Sequence, residues 1–211
     1  MRYGLIVVGL ASALSVGFDI AVRPVARGET LAAPWPKQTD DVMAEIARLR
    51  SQADVQNTAN VDYRQQISAL IEAQDFAPVE ALIPPAVTSG TEAVQAIQAA
   101  LSLSQSLPDE SLTAELYGQL TEYYGNLGAV YDLQAQAYGA QNLLEQQLLA
   151  QQRNLQIQTQ QLDAILPSQN ETLIVTSTVG LTILQWSIGQ THQQLGQNLD
   201  AIDASELALE L

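Results

Sequence analysis

Histidine, cysteine and closely spaced carboxylates carry most catalytic and metal-binding chemistry, and this chain of 211 residues offers few of them. It contains a single histidine, His192, and no cysteine. A zinc site of the usual kind needs four ligands, so several carboxylates would have to converge on His192. A histidine on a solvated helix face is the simpler interpretation. The lack of cysteine also excludes disulfides, thiol catalysis and a lipoprotein anchor.

The acidic residues are better explained by helix caps and solvated faces than by chemistry. Glu110, Glu115 and Glu122 are five and seven positions apart, so they do not form a tight pair. Asp40 and Asp41 suit the first turn of a helix. There is no phosphate loop, nucleophile elbow or dinucleotide-binding glycine pattern. We therefore predict no catalytic, cofactor-binding or metal-binding residues and no enzyme activity. Four further acids near the end of the chain have three- and four-residue spacing but lack a glycine-bearing calcium loop: Asp200, Asp203, Glu206 and Glu210.

The charge balance excludes several classes of partner. The chain has 23 acidic and eight basic side chains, a formal charge of −15. After Arg64 its only basic side chain is Arg153. Neutralising phosphates requires clustered Lys and Arg, so the sequence predicts no direct binding to nucleic acid. Attraction of the body of the chain to an anionic membrane is equally disfavoured. The expected partners are other protein subunits of one assembly, or further copies of this chain, without a cofactor.

The longest patterned segment runs from Asp109 to Ile165. Apolar residues and glutamines recur there at alternating spacings of three and four, which is typical of helices packed as in coiled coils. At about 1.5 Å per residue, one unbroken helix would be roughly 80 Å long. Four glycines leave open a break near Gly125. The predicted inward positions are Leu116, Leu120, Tyr123, Leu127, Val130, Gln134, Ala137, Gln141, Leu144, Leu148, Gln151, Leu155, Gln158, Leu162 and Ile165.

Two further helices are predicted on either side of this segment. The first begins at Thr39-Asp40-Asp41 and keeps the same spacing from Val42 to Leu70. The last follows a capping box, Ser168-Gln169-Asn170-Glu171, and continues to Ile202 along the positions Ser177, Leu181, Leu184, Ile188, Thr191, Leu195 and Asn198. A strand over Leu173–Thr178 is the alternative, and the acidic tail 203–211 is expected to fray.

Between the first two long helices, residues 75–108 are predicted to form a small helical insertion lobe. Pro78 and Pro84-Pro85 indicate a loop over Phe76–Ser89, and a capping box at Ser89–Glu92 predicts a helix to about Ser106. The predicted fold is therefore an all-α, elongated bundle of about three long helices with this lobe, over residues 39–211.

The N-terminus predicts export. Residues 4–18 are uncharged and apolar after Arg2, and 15 residues is short for a membrane span but suits a signal sequence. We assign residues 1–30 to a signal peptide or N-terminal membrane anchor, with a buried N-terminal helix or strand as the alternative. Residues 31–38, with Pro34-Trp35-Pro36, are assigned to a linker. The expected location is periplasmic or at the cell surface. Membrane contact is expected only through residues 1–18 if they are uncleaved, since Leu173–Trp186 is too short and too rich in Thr and Ser to span a bilayer.

Four tyrosines of the long segment are the candidate protein interface. Tyr117, Tyr124, Tyr131 and Tyr138 are spaced at sevens, so they share one flank of a helix and lie off the inward stripe. Tyrosine is enriched at interfaces because it combines a large rigid surface with a polar tip. The alternative is that this flank packs on the predicted Val94–Leu101 helix.

The layout resembles a known family. The first long helix carries Gln65-Gln66-Ile67-Ser68-Ala69-Leu70, and the last carries Gly180-Leu181-Thr182-Ile183-Leu184-Gln185 and Gln190-Thr191-His192-Gln193-Gln194-Leu195. With the leader and the long Gln/Ala/Leu helix, most of residues 40–202 resembles the TrbJ-like conjugal-transfer proteins, relatives of the minor pilins of type IV secretion systems. The resemblance implies an exported, non-enzymatic pilus-tip or pilus-assembly component. A phage virion or tail protein, and a generic periplasmic coiled-coil adaptor, are the alternatives.

Overall fold

The computed structural model describes residues 35–210, and the side chains of residues 39–209. The predicted leader over residues 1–30 and the start of the predicted linker lie outside the described residues. Six α-helices and no strand are present in the described part, which confirms the all-α bundle. The predicted linker ends early, because four of its residues already belong to the first helix. The helices are α1 (Trp35–Glu72), α2 (Val79–Ser104), α3 (Glu110–Ala140), α4 (Leu144–Ile165), α5 (Glu171–Gln194) and α6 (Asn198–Glu210).

Side-chain caps fix two of the helix starts. The carboxylate of Asp109 accepts a hydrogen bond of 3.0 Å from the Leu112 backbone N–H at the start of α3. At α5 the cap is Asn170, whose side chain accepts from the Leu173 N–H at 3.3 Å. The capping box predicted from Ser168 was therefore placed two residues too early. Ser168 instead accepts from the Asn170 N–H at 3.1 Å, within the short 3₁₀ turn Leu166–Ser168. The alternative strand at Leu173–Thr178 is wrong, since these residues lie in α5.

The helices α1, α2 and α3 supply most of the largest core, and Ile165 of α4 completes it. The fully buried members from the first three helices include Ile46, Ile97 and Leu116. A second cluster lies further along the same helices and joins Ile67 to Ile83 and Val130. Most of the spacing predicted for α1 is confirmed, because Ile46, Leu49, Ala53, Asn60 and Ile67 are all buried.

The helix α2 is much longer than the sequence predicted. It begins at Val79 and continues through Pro84 and Pro85, so the loop predicted over Phe76–Ser89 is present at Phe76–Pro78 and wrong from Val79 onward. Ser89 does not open a helix; it is buried, and its hydroxyl donates to the Ala86 carbonyl at 3.0 Å. Since α2 packs along both α1 and α3, residues 75–108 form a principal part of the bundle rather than a small lobe. Burial of Val79, Ile83 and Ala86 offsets the two backbone hydrogen bonds that the prolines remove.

The segment Asp109–Ile165 is two helices rather than one. The chain reverses at residues 141–143, where Asn142 has a φ of 58° and the Leu143 N–H donates to the Tyr138 carbonyl at 2.9 Å. The helix α4 then packs antiparallel on α3, so that Gln161 reaches the Thr121 carbonyl and Asn154 lies against Gly128. No break occurs at Gly125, which lies within α3.

After the reversal, the residues that α4 buries are mostly not the predicted ones. On α3 the predicted positions from Leu116 to Ala137 are buried. On α4 the buried residues are Ala150, Gln151, Asn154, Gln161 and Ile165, so only Gln151 and Ile165 of the predicted positions are fully buried. Predicted positions such as Leu148, Leu155 and Leu162 are half-buried. The four-three spacing continues across the turn, but on α4 it no longer marks the buried face of the helix.

The last predicted helix is also divided. Gly196 has a φ of 76°, which favours glycine, and it ends α5 one turn before α6 begins. The helix α6 packs back on α5, where Gly189 lies close to the Ala201 carbonyl and Ser205. The tail predicted to fray from residue 203 is helical to Glu210. The inward stripe of α5 is confirmed at Ser177, Leu181, Leu184, Ile188 and Thr191.

Candidate functional site: an apolar outer face on α5 and α6

The tyrosine ladder is divided between core and surface. Tyr117 and Tyr124 are each 6% exposed and belong to the main core cluster. The Tyr124 hydroxyl accepts a hydrogen bond of 3.0 Å from Gln98 on α2, and burial raises the pKa of this tyrosine. The alternative interpretation, in which this flank packs on α2, is thus confirmed for Tyr124, and Tyr117 is buried in the same cluster. The prediction of an exposed interface is therefore wrong for Tyr117 and Tyr124. It stays a prediction for Tyr131 and Tyr138, which are half-buried.

A row of polar side chains joins α1 to α3. The Tyr123 hydroxyl donates to Asp54, and burial raises the pKa of Tyr123. Asn126 donates to Asn57 at 2.9 Å and accepts from Arg64 at 2.6 Å. Burial also lowers the pKa of Arg64. These pairs are partly buried and fix the register of the two helices, while the Arg64 Nε atom is buried without a hydrogen-bond partner.

Asn60 is the most deeply buried polar residue of α1. Its side chain is fully buried and donates to the Ala86 carbonyl of α2 at 2.8 Å. This bond adds α2 to the polar contacts between α1 and α3. The contact is close, because a Cβ on Gly90 would lie 2.8 Å from the Asn60 amide nitrogen.

Residues with acid, base or metal chemistry do not converge in the part of the chain that the structure describes. No group of three His, Asp or Glu side chains there is placed to hold a metal ion. His192 pairs with Gln197 through its Nδ1 atom at 2.7 Å. Glu115 forms an ion pair with Arg50, and the acids predicted near the C-terminus, Asp200, Asp203 and Glu206, are exposed.

Large apolar side chains instead lie on the outside of α5. Val175, Val179, Ile183 and Trp186 are 60%, 51%, 62% and 57% exposed. An exposed apolar residue is ordinary in isolation, whereas a line of them along one helix indicates a contact surface. These four lie within a little more than three turns of helix, on the side opposite the buried Leu181, Leu184 and Ile188.

Seven of the ten exposed positions of α5 repeat with the spacing of a packed helix. They are separated by four, three, four, three, four and three positions, which is the spacing of coiled-coil contacts. The other three exposed positions are Glu171, Val175 and Gln194. We call these seven residues the outer frame: Thr172, Thr176, Val179, Ile183, Trp186, Gln190 and Gln193. The helix α5 therefore carries two such frames, one that packs on α4 and α6 and one that faces solvent.

The helix α6 extends this surface. Trp186, Gln190 and Gln193 form one side of an open groove, and Ile202 and Leu209 of α6 lie on the other. Ile202 is 53% exposed and Leu209 is 88% exposed. We call the outer frame together with Val175, Ile202 and Leu209 the α5–α6 face.

The α5 part of this face lies in the longest uncharged stretch of the C-terminal half, whereas the α6 part lies beside Asp203 and Glu206. Residues 172–199 contain no Asp, Glu, Lys or Arg, in a chain with a formal charge of −15. The whole of α5, Glu171–Gln194, is also long and apolar enough by length and composition to cross a membrane, with 28% of its most apolar window buried in the bundle. The segment Leu173–Trp186, which is predicted to be too short to span a bilayer, is only part of this helix. An uncharged, repeating face of this length suits a contact with another helix or with lipid.

Sequence reasoning found the inner frame of α5 but not the outer one. The outer frame begins with two threonines and ends with two glutamines, so its apolar part is only Val179, Ile183 and Trp186. The lack of charge along α5 is the signal that could have revealed the outer frame. A helix with two four-three frames has few positions left for charged side chains. A search of protein-family models finds no match to this chain, and neither does a search of curated proteins.

Proposed function

We propose that this chain is a non-enzymatic structural or assembly protein that acts by packing its helices against other protein subunits. The observation that carries this proposal is the outer frame of α5, an exposed row of residues with coiled-coil spacing and no charge. An enzyme would need a cleft with converging polar groups. The acidic side chains of residues 39–209 are instead dispersed over helix surfaces or paired within the bundle.

The more specific proposal is a component of a type IV secretion apparatus for conjugation, at the pilus tip or in pilus assembly. It rests on the resemblance to the TrbJ-like proteins, with their Gln-rich helices and apolar leader. The expected location is the periplasm or the cell surface. The strongly acidic composition supports a role in contacts with proteins rather than with the transferred DNA, because phosphates would be repelled.

The test is deletion of the gene in its native host. Transfer of a conjugative plasmid to recipient cells should be lost on deletion and restored by the wild-type chain supplied in trans. Fractionation should place the protein in the envelope. Normal transfer in the deletion strain would contradict the secretion proposal, and recovery of the chain in purified phage particles would support the virion alternative instead. An intact chain found soluble in the cytoplasm would contradict export.

A further inference from the structure

We infer that the occupant of the α5–α6 face is a second copy of this chain, with the two α5 helices packed against each other about a two-fold axis. The inference rests on the proposed function, since it names one partner for an assembly protein. It follows from three properties of the face: its spacing, the lack of charge along α5, and its area.

The spacing of the outer frame favours a helix, rather than a lipid bilayer, as the partner of this face. A lipid bilayer requires only an apolar face, whereas alternating steps of four and three arise where side chains of one helix fit between those of another. The outer frame keeps this alternation through Thr172 and Thr176 at one end and through Gln190 and Gln193 at the other. Its apolar residues are therefore bounded by hydrogen-bonding side chains, as expected for a helix contact with a polar rim.

The charge favours a copy of the same chain. Two molecules that each carry a formal charge of −15 repel one another over most of their surface. They are able to approach closely only where both lack charge, and residues 172–199 provide such a region. A two-fold contact uses the same patch on both partners, so this condition is met on both sides at once. The face also has no basic side chain to attract anionic lipid.

The area suits a reversible dimer. Six apolar side chains of the face are at least half exposed: Val175, Val179, Ile183, Trp186, Ile202 and Leu209. Together they present on the order of 500 Å² of apolar surface per copy. Because somewhat more than half of a typical interface is apolar, this corresponds to about 1,700 Å² of total buried surface for two copies. That is the ordinary size of a specific interface, and the repulsion between two acidic chains should still make the dimer dissociate on dilution.

The central residue of the outer frame supplies the first experiment. Ile183 lies in the middle of the seven positions, so a glutamate there would bring two like charges together near the axis. The full chain should sediment as a concentration-dependent dimer, and Ile183→Glu should weaken association by at least about tenfold. The matched control is Val55→Glu on α1, where the native side chain is 65% exposed, compared with 62% at Ile183. That variant should dimerise like the wild type, with unchanged helical content in both by circular dichroism.

A second experiment uses the absence of cysteine from the chain. Under mild oxidation, Ile183→Cys should form a disulfide-linked dimer much faster than Val55→Cys. Equal rates for the two would overturn the inference, as would a wild-type chain that stays monomeric throughout the concentration series. So would an Ile183→Glu variant that dimerises normally. A monomer whose tryptophan emission shifts to the blue on addition of phosphatidylcholine vesicles would assign the face to lipid and also overturn the dimer.

The two proposals fail separately. A monomeric wild-type chain whose deletion still abolishes conjugal transfer contradicts the dimer alone. A dimer that Ile183→Glu dissociates, in a host whose transfer does not depend on the gene, contradicts the secretion role alone.

Discussion

The α1–α2–α3 region and the α4–α5–α6 region use the same helix spacing but bury different side chains. In the first region, Ile97, Leu116 and Leu120 are at most 1% exposed and belong to one large cluster. In the second, Ile165 belongs to the main cluster, and the separate cluster has three buried members, Leu184, Ile188 and Ala204. Much of what α4 buries is polar, with Gln151 donating to Ser187 at 2.9 Å and Gln161 to Ser177 at 3.3 Å.

The difference shows what a four-three pattern specifies. The pattern determines that a helix packs along one face, while the type of side chain determines how much apolar surface leaves water. A hydrogen bond within the protein replaces one to water, so a glutamine-lined contact contributes less net stability than a leucine-lined one. We therefore expect the α4–α5–α6 region to open at lower free energy than the α1–α2–α3 region.

The largest expected change in unfolding free energy comes from truncating two leucines of the predicted stripe, one in each region. Leu120→Ala on α3 should lower the free energy of unfolding by about 2–5 kcal/mol, because its side chain is 1% exposed within the main core. Leu155→Ala on α4 should cost about 1 kcal/mol, since that side chain is only partly buried. Urea unfolding followed by circular dichroism measures both. Equal losses would show that the two regions are equally well packed.

A pair of glycines tests how closely the helices of the first region approach. A Cβ at Gly90 would lie 2.8 Å from the Asn60 amide nitrogen and 3.0 Å from a Leu127 methyl group. Gly90→Ala should therefore destabilise the protein by about 1–3 kcal/mol. Gly125→Ala is the matched control, because nothing lies within 4 Å of its Cβ position. It should stabilise by about 0.5–1 kcal/mol through higher helix propensity, as measured by thermal melting. A neutral Gly90→Ala variant would show that Asn60 and Leu127 move easily.

The smallest effect concerns pH and involves only the first region. Burial, together with the hydrogen bond to Asp54, raises the pKa of Tyr123, and burial raises those of Tyr124 and Tyr138. The unfolded chain loses these protons above about pH 10 while the folded chain retains them, so stability should fall as pH rises past 10. Tyr123→Phe should reduce that slope and cost about 1 kcal/mol at neutral pH through the lost hydrogen bond. Urea midpoints between pH 8 and 11 provide the measurement, and an unchanged slope in the variant would contradict the assignment.

The sequence predicted the helices and most of the inner faces, because those depend on local spacing. The stripe from Leu116 to Ala137 and the inner frame of α5 both follow the predicted positions. The sequence did not predict the reversal at residues 141–143, because Asn142 rather than a glycine takes the left-handed position and Gly139 lies two residues before the turn. Asn142 adopts a left-handed backbone there, and the four-three pattern continues across the turn.

Two other sequence predictions were wrong because contacts between helices override the local pattern. Pro84 and Pro85 predicted a loop, but the burial of Ile83 and Ala86 between α1 and α3 keeps them inside a helix. Tyr124 lies off the predicted inward stripe of α3, yet α3 packs on α1, α2 and α4, and α2 covers that flank. A helix packed on two sides buries residues outside any single stripe, and the sequence does not state how many neighbours a helix has.

The order of contacts along the chain has a consequence for how the protein is made. Each helix packs against the one that precedes it, from α2 on α1 to α6 on α5, and the principal contact between non-consecutive helices is that of α3 with α1. Loop closure between adjacent helices is entropically cheap, so such a chain is expected to fold rapidly. As the polypeptide emerges N-terminus first, each new helix meets a partner that is already in place. Folding is therefore able to keep pace with synthesis, and the α5–α6 face is the last surface to be completed.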